Sequence, residues 1–324
     1  MLYIQNTSND PYFNLAAEEY LLTQKQENIF LLWVNSDVIV VGRNQNTMAE
    51  INYDYVTEQN IAVVRRLTGG GAVFHDKGNL NFTFIENHRE ALDFSYFGNI
   101  IIGALQKLGL DARLSGRNDL TIEGKKFSGH AATVYQGRHL HHGTLMLNLM
   151  VDTLGKALKT DPQKIAGKGV KSVRSRVTNI NSHLDTPVSV PQLIEVISSH
   201  IKEQHPDMIP YAFTSEDLRA IEKLANEKYR TWEWCFGDSP KYSFSKKGRY
   251  AGGSVEVQLF VEKGVIEEAR IYGDFFGTRD VSDITKALAG LRHDKEIITK
   301  QLAGTDWNQY FFGANEDDIL PLFW

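Results

Sequence analysis

Between residues 29 and 84 the chain holds four short apolar stretches: Ile29–Trp33, Val38–Val41, Ile61–Val64, and Leu80, Phe82 and Phe84 in alternation with Asn81 and Thr83. A run of three glycines, Gly69-Gly70-Gly71, separates the last two. Stretches this short and this rich in β-branched and aromatic residues are strands, and the alternating one is half-buried. A chain that opens in this way has to build a sheet and pass through a glycine turn inside it. The first two stretches, separated by Asn35-Ser36-Asp37, read as two buried strands around a turn. None approaches the roughly 18 apolar residues of a membrane helix, so no membrane association is expected.

Helical stripes flank these strands. Asn9 or Asp10 can cap a helix with Pro11 at its first position, carrying Phe13, Ala16, Ala17, Tyr20 and Leu21 on one side. Phe97, Ile100, Ile101, Ala104, Leu105 and Leu108 repeat at helical spacing ahead of a C-capping Gly109. Asp119–Ile122 and Lys125–Phe127 flank Glu123-Gly124 as a tight hairpin. Thr144–Val151 reads as a further strand, and Pro191 opens another amphipathic helix. Strands mixed with helices give an α/β class (α+β, with mixed sheets). At roughly 150 residues per domain, 324 residues divide in two. The Ser, Pro, Gly and Lys content from Asp238 to Arg249 marks the boundary. The expected division is a large domain over 1–240, a linker over 241–248 and a small α+β domain over 249–324.

With 35 basic against 40 acidic residues and a net charge of −5, the chain is not a general nucleic-acid binder. Any anion site must be local. Met1 to Pro11 carries no secretory signal, and Cys235, the sole cysteine, cannot form an internal disulfide. A reducing, cytoplasmic setting is expected.

Three segments blend glycine, cation and histidine: Arg65 to Asn81, Gly116 to Ala131, and His139 to Thr144. In the first, Arg65 and Arg66 precede the glycines, whose bare backbone lets a ligand approach and whose amides can hold phosphate or carboxylate oxygens. The same residues also make a tight turn beside a surface arginine pair, and pattern alone does not choose. No Walker loop and no Gly-x-Gly-x-x-Gly occurs. In the second segment Asn118 and Asp119 lead into the hairpin and Lys126 leaves it. Lys126 offers a fixed charge that Asp119 can orient, although Lys125 and Lys126 also read as solvated hairpin charges. His139, His141 and His142 have no ligand spacing with nearby acids, and a strand end where His142 and Gly143 shape a pocket is preferred to zinc. Pro162 to Leu184 carries Lys164, Lys168, Lys171, Arg174 and Arg176 with no acidic residue, as a mobile basic loop would. Cys235, among Trp232, Trp234 and Phe236, reads as a buried thiol.

Arg-Arg-x-x-Gly-Gly-Gly-Ala-Val-Phe-His-Asp-x-Gly-Asn from residue 65, Lys-x-Ser-Gly-x-Ala from 126, His-His-Gly-Thr-Leu from 141 and Lys-Ser-Val-Arg-Ser-Arg-Val-Thr-Asn from 171 together resemble lipoate-protein ligase A. The resemblance runs through about Pro240, and Trp232-Glu233-Trp234 followed by a small α+β module resembles the accessory C-terminal domain of the long, bacterial-type ligases. It implies a large domain like that of biotin and lipoate-protein ligases. It also implies an AMP-forming enzyme that joins lipoate and ATP into lipoyl-adenylate, releases pyrophosphate, and transfers the lipoyl group to a lysine of an acceptor domain. Lys126 matches the lysine that touches lipoate and adenylate. Arg66, Gly70, Gly71, Ala72, Val73, Phe74, Asn118, Asp119, His142 and Gly143 would line the lipoate and ATP site. Lys171, Ser172, Val173, Arg174 and Arg176 would form the adenylate loop that closes over the nucleotide. Mg2+ would accompany ATP without an evident carboxylate cage. The implied partners are lipoyl domains of 2-oxoacid dehydrogenase E2 subunits and the glycine cleavage H protein, served by a monomer. Thr68, where serine may occur in the family, and His130 leave lipoate against octanoate open. The alternatives are an ATP-independent octanoyl or lipoyl acyltransferase of the same fold, and a non-catalytic protein that binds an acyl-adenylate.

Overall fold

The computed structural model describes residues 1–324 except 46, 88–92, 117, 159–175, 237–243, 263–264 and 294. The first strand, β1 (Leu2–Gln5), leads into helix α1 (Pro11–Gln24), where the Asp10 carboxylate accepts from the amides of Tyr12 and Phe13 and proline occupies the first turn. Strands β2 (Ile29–Trp33), β3 (Val38–Val41), β4 (Ala62–Arg65), β5 (Val73–His75) and β6 (Asn79–Asn87) follow. Next come α2 (Phe94–Gln106), β7 (Ala112–Ser115), β8 (Asp119–Ile122), β9 (Lys125–Tyr135) and β10 (Arg138–Met146). Then come α3 (Val151–Ala157), α4 (Val190–Gln204), β11 (Ile209–Pro210) and α5 (Ser215–Leu224), followed by helical turns over Ala225–Tyr229 and Trp232–Cys235.

The main sheet has eight strands in the order β11-β1-β2-β6-β10-β9-β8-β7. Strand β2 is apolar throughout because both its faces are covered. Ile29, Leu31 and Trp33 pack with α1, while Phe30 and Leu32 pack with α2 and α4 residues such as Phe97, Ile101, Leu193 and Ile197. The second sheet is β4-β3-β5, with β3 parallel to β4 and antiparallel to β5. Thus β2 and β3 do not pair with each other. The turn between them moves the chain from one sheet to the other, since the Asn14 side chain on α1 binds the Val34 carbonyl and the Asn35 side chain.

Two further expectations change. The strand read as Thr144–Val151 is Arg138–Met146, and Val151 already starts α3. The histidines therefore lie on the strand itself. Phe244 to Gly248, read as linker, are paired strand: β12 (Phe244–Tyr250) lies against β13 (Gly253–Glu262), which pairs with β14 (Val265–Gly273). Helix α6 (Ser282–Leu288) closes this small module around Val255, Val257, Leu259, Phe275 and Phe311.

Candidate active site

The glycine run joins β4 to β5, which lie on opposite sides of β3, so the connection must cross the end of β3. A cavity of about 120 Å³ opens there. Arg66, Gly70, Gly71, Ala72, Val73, Asn118, Lys126, His142 and Gly143 all line it. Lys126 and the glycine backbone, more than fifty residues apart, thus line one cavity. Phe74 and Asp119 do not line it. Strand alternation turns Phe74 away from its neighbours Val73 and His75, into a core with Ile39, Val41 and Val63.

Lys126 sits at the start of β9. Its Nζ lies 2.7 Å from Asp119 Oδ1 across the hairpin, both side chains about one-third exposed. Glu123 and Gly124 both take positive φ, 51° and 74°, so the hairpin turn is tight and the pair is brought face to face. Gly129 makes room for the ammonium, since a Cβ there would stand 3.0 Å from Nζ. The reading of Lys126 as a solvated charge therefore fails. The Lys126 carbonyl accepts from the Thr178 amide at 2.8 Å, which ties the end of the basic segment to the strand that carries the lysine. Arg176 is exposed, whereas Lys171, Ser172, Val173 and Arg174 lie outside the described residues. Asn118 holds the neighbouring turn, donating to the His130 carbonyl at 2.6 Å and accepting from the His130 amide at 2.8 Å.

The arginine pair is not a surface pair. Arg65 donates to the carbonyls of Gly42, Arg43, Gln45 and Trp234 and to Thr47 Oγ1. Arg66 donates to Thr68 Oγ1 (2.9 Å) and to the carbonyls of Val40 (3.2 Å), Gly69 (2.6 Å) and Gly71 (2.9 Å). Burial lowers each guanidinium to about 10, assisted at Arg65 by Arg43, so both remain charged at neutral pH. Their work is to hold the glycine loop in shape from beneath. The three glycines also differ in purpose. A Cβ at Gly69 would meet the Phe275 carbonyl at 1.9 Å, and one at Gly70, whose φ is +90°, would meet Arg66 Nη2 and the Phe276 ring at 2.9 Å. Only Gly71 has room, its nearest contact being 4.0 Å away, and it presents the free backbone expected of a ligand cradle.

Leu15, Trp33, Val40 and His75 also line the cavity; Trp33, on β2, stands three strands away from Lys126 on β9, and the His75 ring packs edge-on to its indole. His142 accepts from the Thr68 hydroxyl at Nε2 (2.8 Å), and its Nδ1 donates to Glu18 Oε1 (2.8 Å). Glu18 also accepts from Thr83 Oγ1 (2.6 Å), which takes the Trp33 indole N–H (3.0 Å). Glu18 was legible in principle, as a carboxylate on the stripe Pro11, Leu15, Leu22 of α1. His130, against Ser128 Oγ and His141 at 3.0 Å each, is held at about 3 by burial, then by the charge of Lys126. These imidazoles are engaged with one another, and among the described residues no three His, Cys, Asp or Glu side chains converge on a metal position. Cys235 is buried and its thiol is pushed up to about 11 by burial.

Part of the wall comes from the small module, which no pattern in the sequence indicated. The Phe275 carbonyl accepts from the Gly70 amide at 3.1 Å, and Gly273 donates to the Asn44 carbonyl. Phe276, fully buried, packs with Phe94, Ala131 and Ala132 and lines the cavity.

Residues 10–202 match the family model described as the lipoyl protein ligase A/B catalytic domain, and residues 239–323 match that of the bacterial lipoate protein ligase C-terminus. The chain is 43% identical to lipoate–protein ligase 1 of Staphylococcus aureus, over 99% of each, and 41% identical to lipoate-protein ligase LplJ of Bacillus subtilis, over the whole of each. Among solved structures, it superposes with a TM-score of 0.79 on P. falciparum LipL1 in complex with lipoate, at 27% identity over 94% of each chain. A lipoate-protein ligase A bound with ATP gives a TM-score of 0.64 at 26% identity, over 73% of this chain and 98% of that one. With its fold and both parts of its length in agreement, the chain belongs to the lipoate-protein ligase family.

Proposed function

We propose that the chain activates lipoate with ATP in the cavity between Lys126 and the glycine loop, and then acylates a lysine of an acceptor lipoyl domain. The observation that carries this reading is that one cavity is lined by a fixed ammonium, an open backbone at Gly71 and the apolar side chains of Leu15, Trp33 and Val40, with Trp33 three strands away from Lys126. An eight-carbon acid with one charged terminus has that polarity. In the first step a carboxylate oxygen attacks the α-phosphorus and pyrophosphate leaves. Lys126 offsets the repulsion between the two anions. In the second, the acceptor amine attacks the acyl carbonyl, AMP leaves and the amine loses a proton, while the same ammonium stabilises the oxyanion. Asp119, at 2.7 Å, fixes where that charge stands. Magnesium entering with ATP would take its ligands chiefly from phosphate oxygens and water and would neutralise charge on the departing pyrophosphate.

The relatives support each part separately: one solved relative holds lipoate, another holds ATP, and a third, from Thermoplasma acidophilum, belongs to a lipoylation system of a bipartite ligase and its E2 lipoyl domain. E2 lipoyl domains and the glycine cleavage H protein are the acceptors we assign, with the enzyme acting as a cytoplasmic monomer. An acyltransferase working through a thioester is disfavoured because Cys235 is buried, donates to the Tyr229 carbonyl and resists ionisation. The test is incubation with ATP, lipoate and an unmodified lipoyl domain, followed by mass spectrometry of that domain. One added lipoyl group, dependent on ATP, is expected. Modification that proceeds without ATP, or none at all, refutes the reading.

A further inference from the structure

Four buried side-chain atoms stand without a hydrogen-bond partner among the described residues: His75 Nε2, Asn79 Oδ1, His200 Nδ1 and Trp307 Nε1. Of these, only His75 belongs to a residue that lines the active-site cavity. Other ring nitrogens that line it are engaged: Trp33 Nε1 by Thr83, and both nitrogens of His142 by Thr68 and Glu18. His75 is the exception, and an unpaired buried donor costs free energy until an acceptor reaches it.

Neighbouring asparagines determine whether that nitrogen donates or accepts. Asn14 Nδ2 lies 3.1 Å from the carbonyls of Ser8 and Val34, which only accept, so this end of its side chain is the amide nitrogen. The same nitrogen lies 2.9 Å from Asn35, which must turn its oxygen toward it. Asn35 therefore presents Nδ2 to His75 Nδ1, at 3.1 Å, and Nδ1 accepts. The ring proton stands on Nε2. Burial, and then the nearby charge of Arg66, hold the imidazole at about 3, so at neutral pH it is an uncharged donor. Such a donor does not compete with Lys126 for a carboxylate. It suits a neutral, polarisable acceptor at the other end of the substrate.

Building on the lipoate reading of the cavity, we infer that His75 is a specificity-determining residue whose Nε2–H donates to a sulfur of the substrate's dithiolane ring. The carboxyl end then lies at Lys126 and the ring at Trp33, Val40 and His75. A saturated fatty acid of the same length has no atom able to accept there and leaves the donor unpaired. Lipoate is preferred to octanoate by a missing bond as well as by ring shape, since a site built around a polar group discriminates against the analogue that lacks it.

The isosteric probe is 5-cyclopentylpentanoate, which keeps the five-membered ring and chain but has no sulfur. Pyrophosphate release by the full-length enzyme is measured with lipoate, octanoate and this analogue, for wild type and His75→Leu. Wild type should prefer lipoate to the cyclopentyl acid by roughly three- to tenfold in kcat/KM, expressed in KM, and His75→Leu should bring that ratio to within about twofold of unity. In 15N-histidine spectra of the wild-type protein, lipoate should shift the Nε2–H resonance of His75 and slow its solvent exchange, and the cyclopentyl acid should not. An unaltered ratio in a folded His75→Leu, or identical His75 spectra with the two ligands, overturns the inference. Should the variant fail to fold, the wild-type spectra decide. Absence of pyrophosphate release with any of the three acids would instead count against the ligase reading.

Discussion

Lys126 illustrates how much the role of one side chain depends on what surrounds it. A hairpin lysine is ordinarily solvated, yet here the Asp119 carboxylate and the bare Gly129 backbone confine the ammonium to the cavity wall. Because the pair is one-third exposed, it adds little to stability, and its effect should fall on the reaction. Lys126→Ala is expected to leave the melting temperature near that of wild type and to reduce ATP-dependent pyrophosphate release by about 10²-fold or more, the usual cost of losing one electrostatic donor; undiminished release would remove Lys126 from the mechanism. His130 behaves differently. Its folded value of about 3 lies below the 6.5 of an unfolded chain. Between these values the unfolded chain binds a proton that the folded chain refuses. Stability is therefore lost as pH falls from 6.5 toward 3, at about 1.4 kcal/mol per pH unit for this residue, and is unaffected above that window. His130→Gln should make the dependence of unfolding free energy on pH shallower by about that slope in denaturant titrations at pH 4, 5 and 6, and parallel slopes would contradict the burial. At this scale Lys126, Asp119 and the glycines were legible because they sit in a motif. Which partners Glu18 and His75 take was not, because each is a polar residue in an apolar stripe, where sequence does not show whether it is satisfied by the core or left for a ligand.

The β4–β5 connection shows three adjacent glycines meeting three separate demands. Gly69 is glycine because the small module's backbone lies against it, Gly70 because its φ is positive and two side chains crowd it, and Gly71 is under neither constraint. Substitution should separate these reasons. Gly69→Ala drives a methyl into the Phe275 carbonyl and should cost about 1–3 kcal/mol, as overpacking does. Gly71→Ala should change stability by no more than about 0.5 kcal/mol while raising the KM for ATP severalfold, because its methyl enters the cavity. Melting curves paired with pyrophosphate kinetics distinguish the two; an intact KM in Gly71→Ala would mean that the nucleotide does not approach that backbone. The turn itself could be read from composition. The separation of β2 and β3 into different sheets could not, since a strand buried on both faces is apolar at every position and carries no mark of which neighbour it pairs with.

For the molecule as a whole, the cavity belongs to two modules. Phe275 is part of the small module's own core, while the next residue, Phe276, is buried among Phe94, Ala131 and Ala132 of the large domain. Strand-like alternation thus lets consecutive phenylalanines serve two cores, and some two hundred residues separate Phe276 from the glycine loop it covers. No local pattern records a contact over that distance, which explains why the small module was legible from sequence as an appendage and not as a wall of the cavity. Truncating a buried phenylalanine removes about 3–5 kcal/mol of packing. In Phe276→Ala that loss falls on the contact between the modules and leaves the small core, which does not include Phe276, in place. The Gly70 amide, bonded to the Phe275 carbonyl at 3.1 Å, reports on that contact. Hydrogen exchange read by mass spectrometry should rise at least about tenfold in the peptide spanning Gly69 to Ala72 and stay near wild type across β13 and β14, as expected when a local opening is made easier and the global one is not. The KM for lipoate should rise in the same variant, because the cavity loses a wall. Unchanged exchange at Gly70 would show that the backbone bond and the Arg43–Asp280 pair hold the module without the ring, and Phe276 would then be a lining residue with no part in joining the two halves.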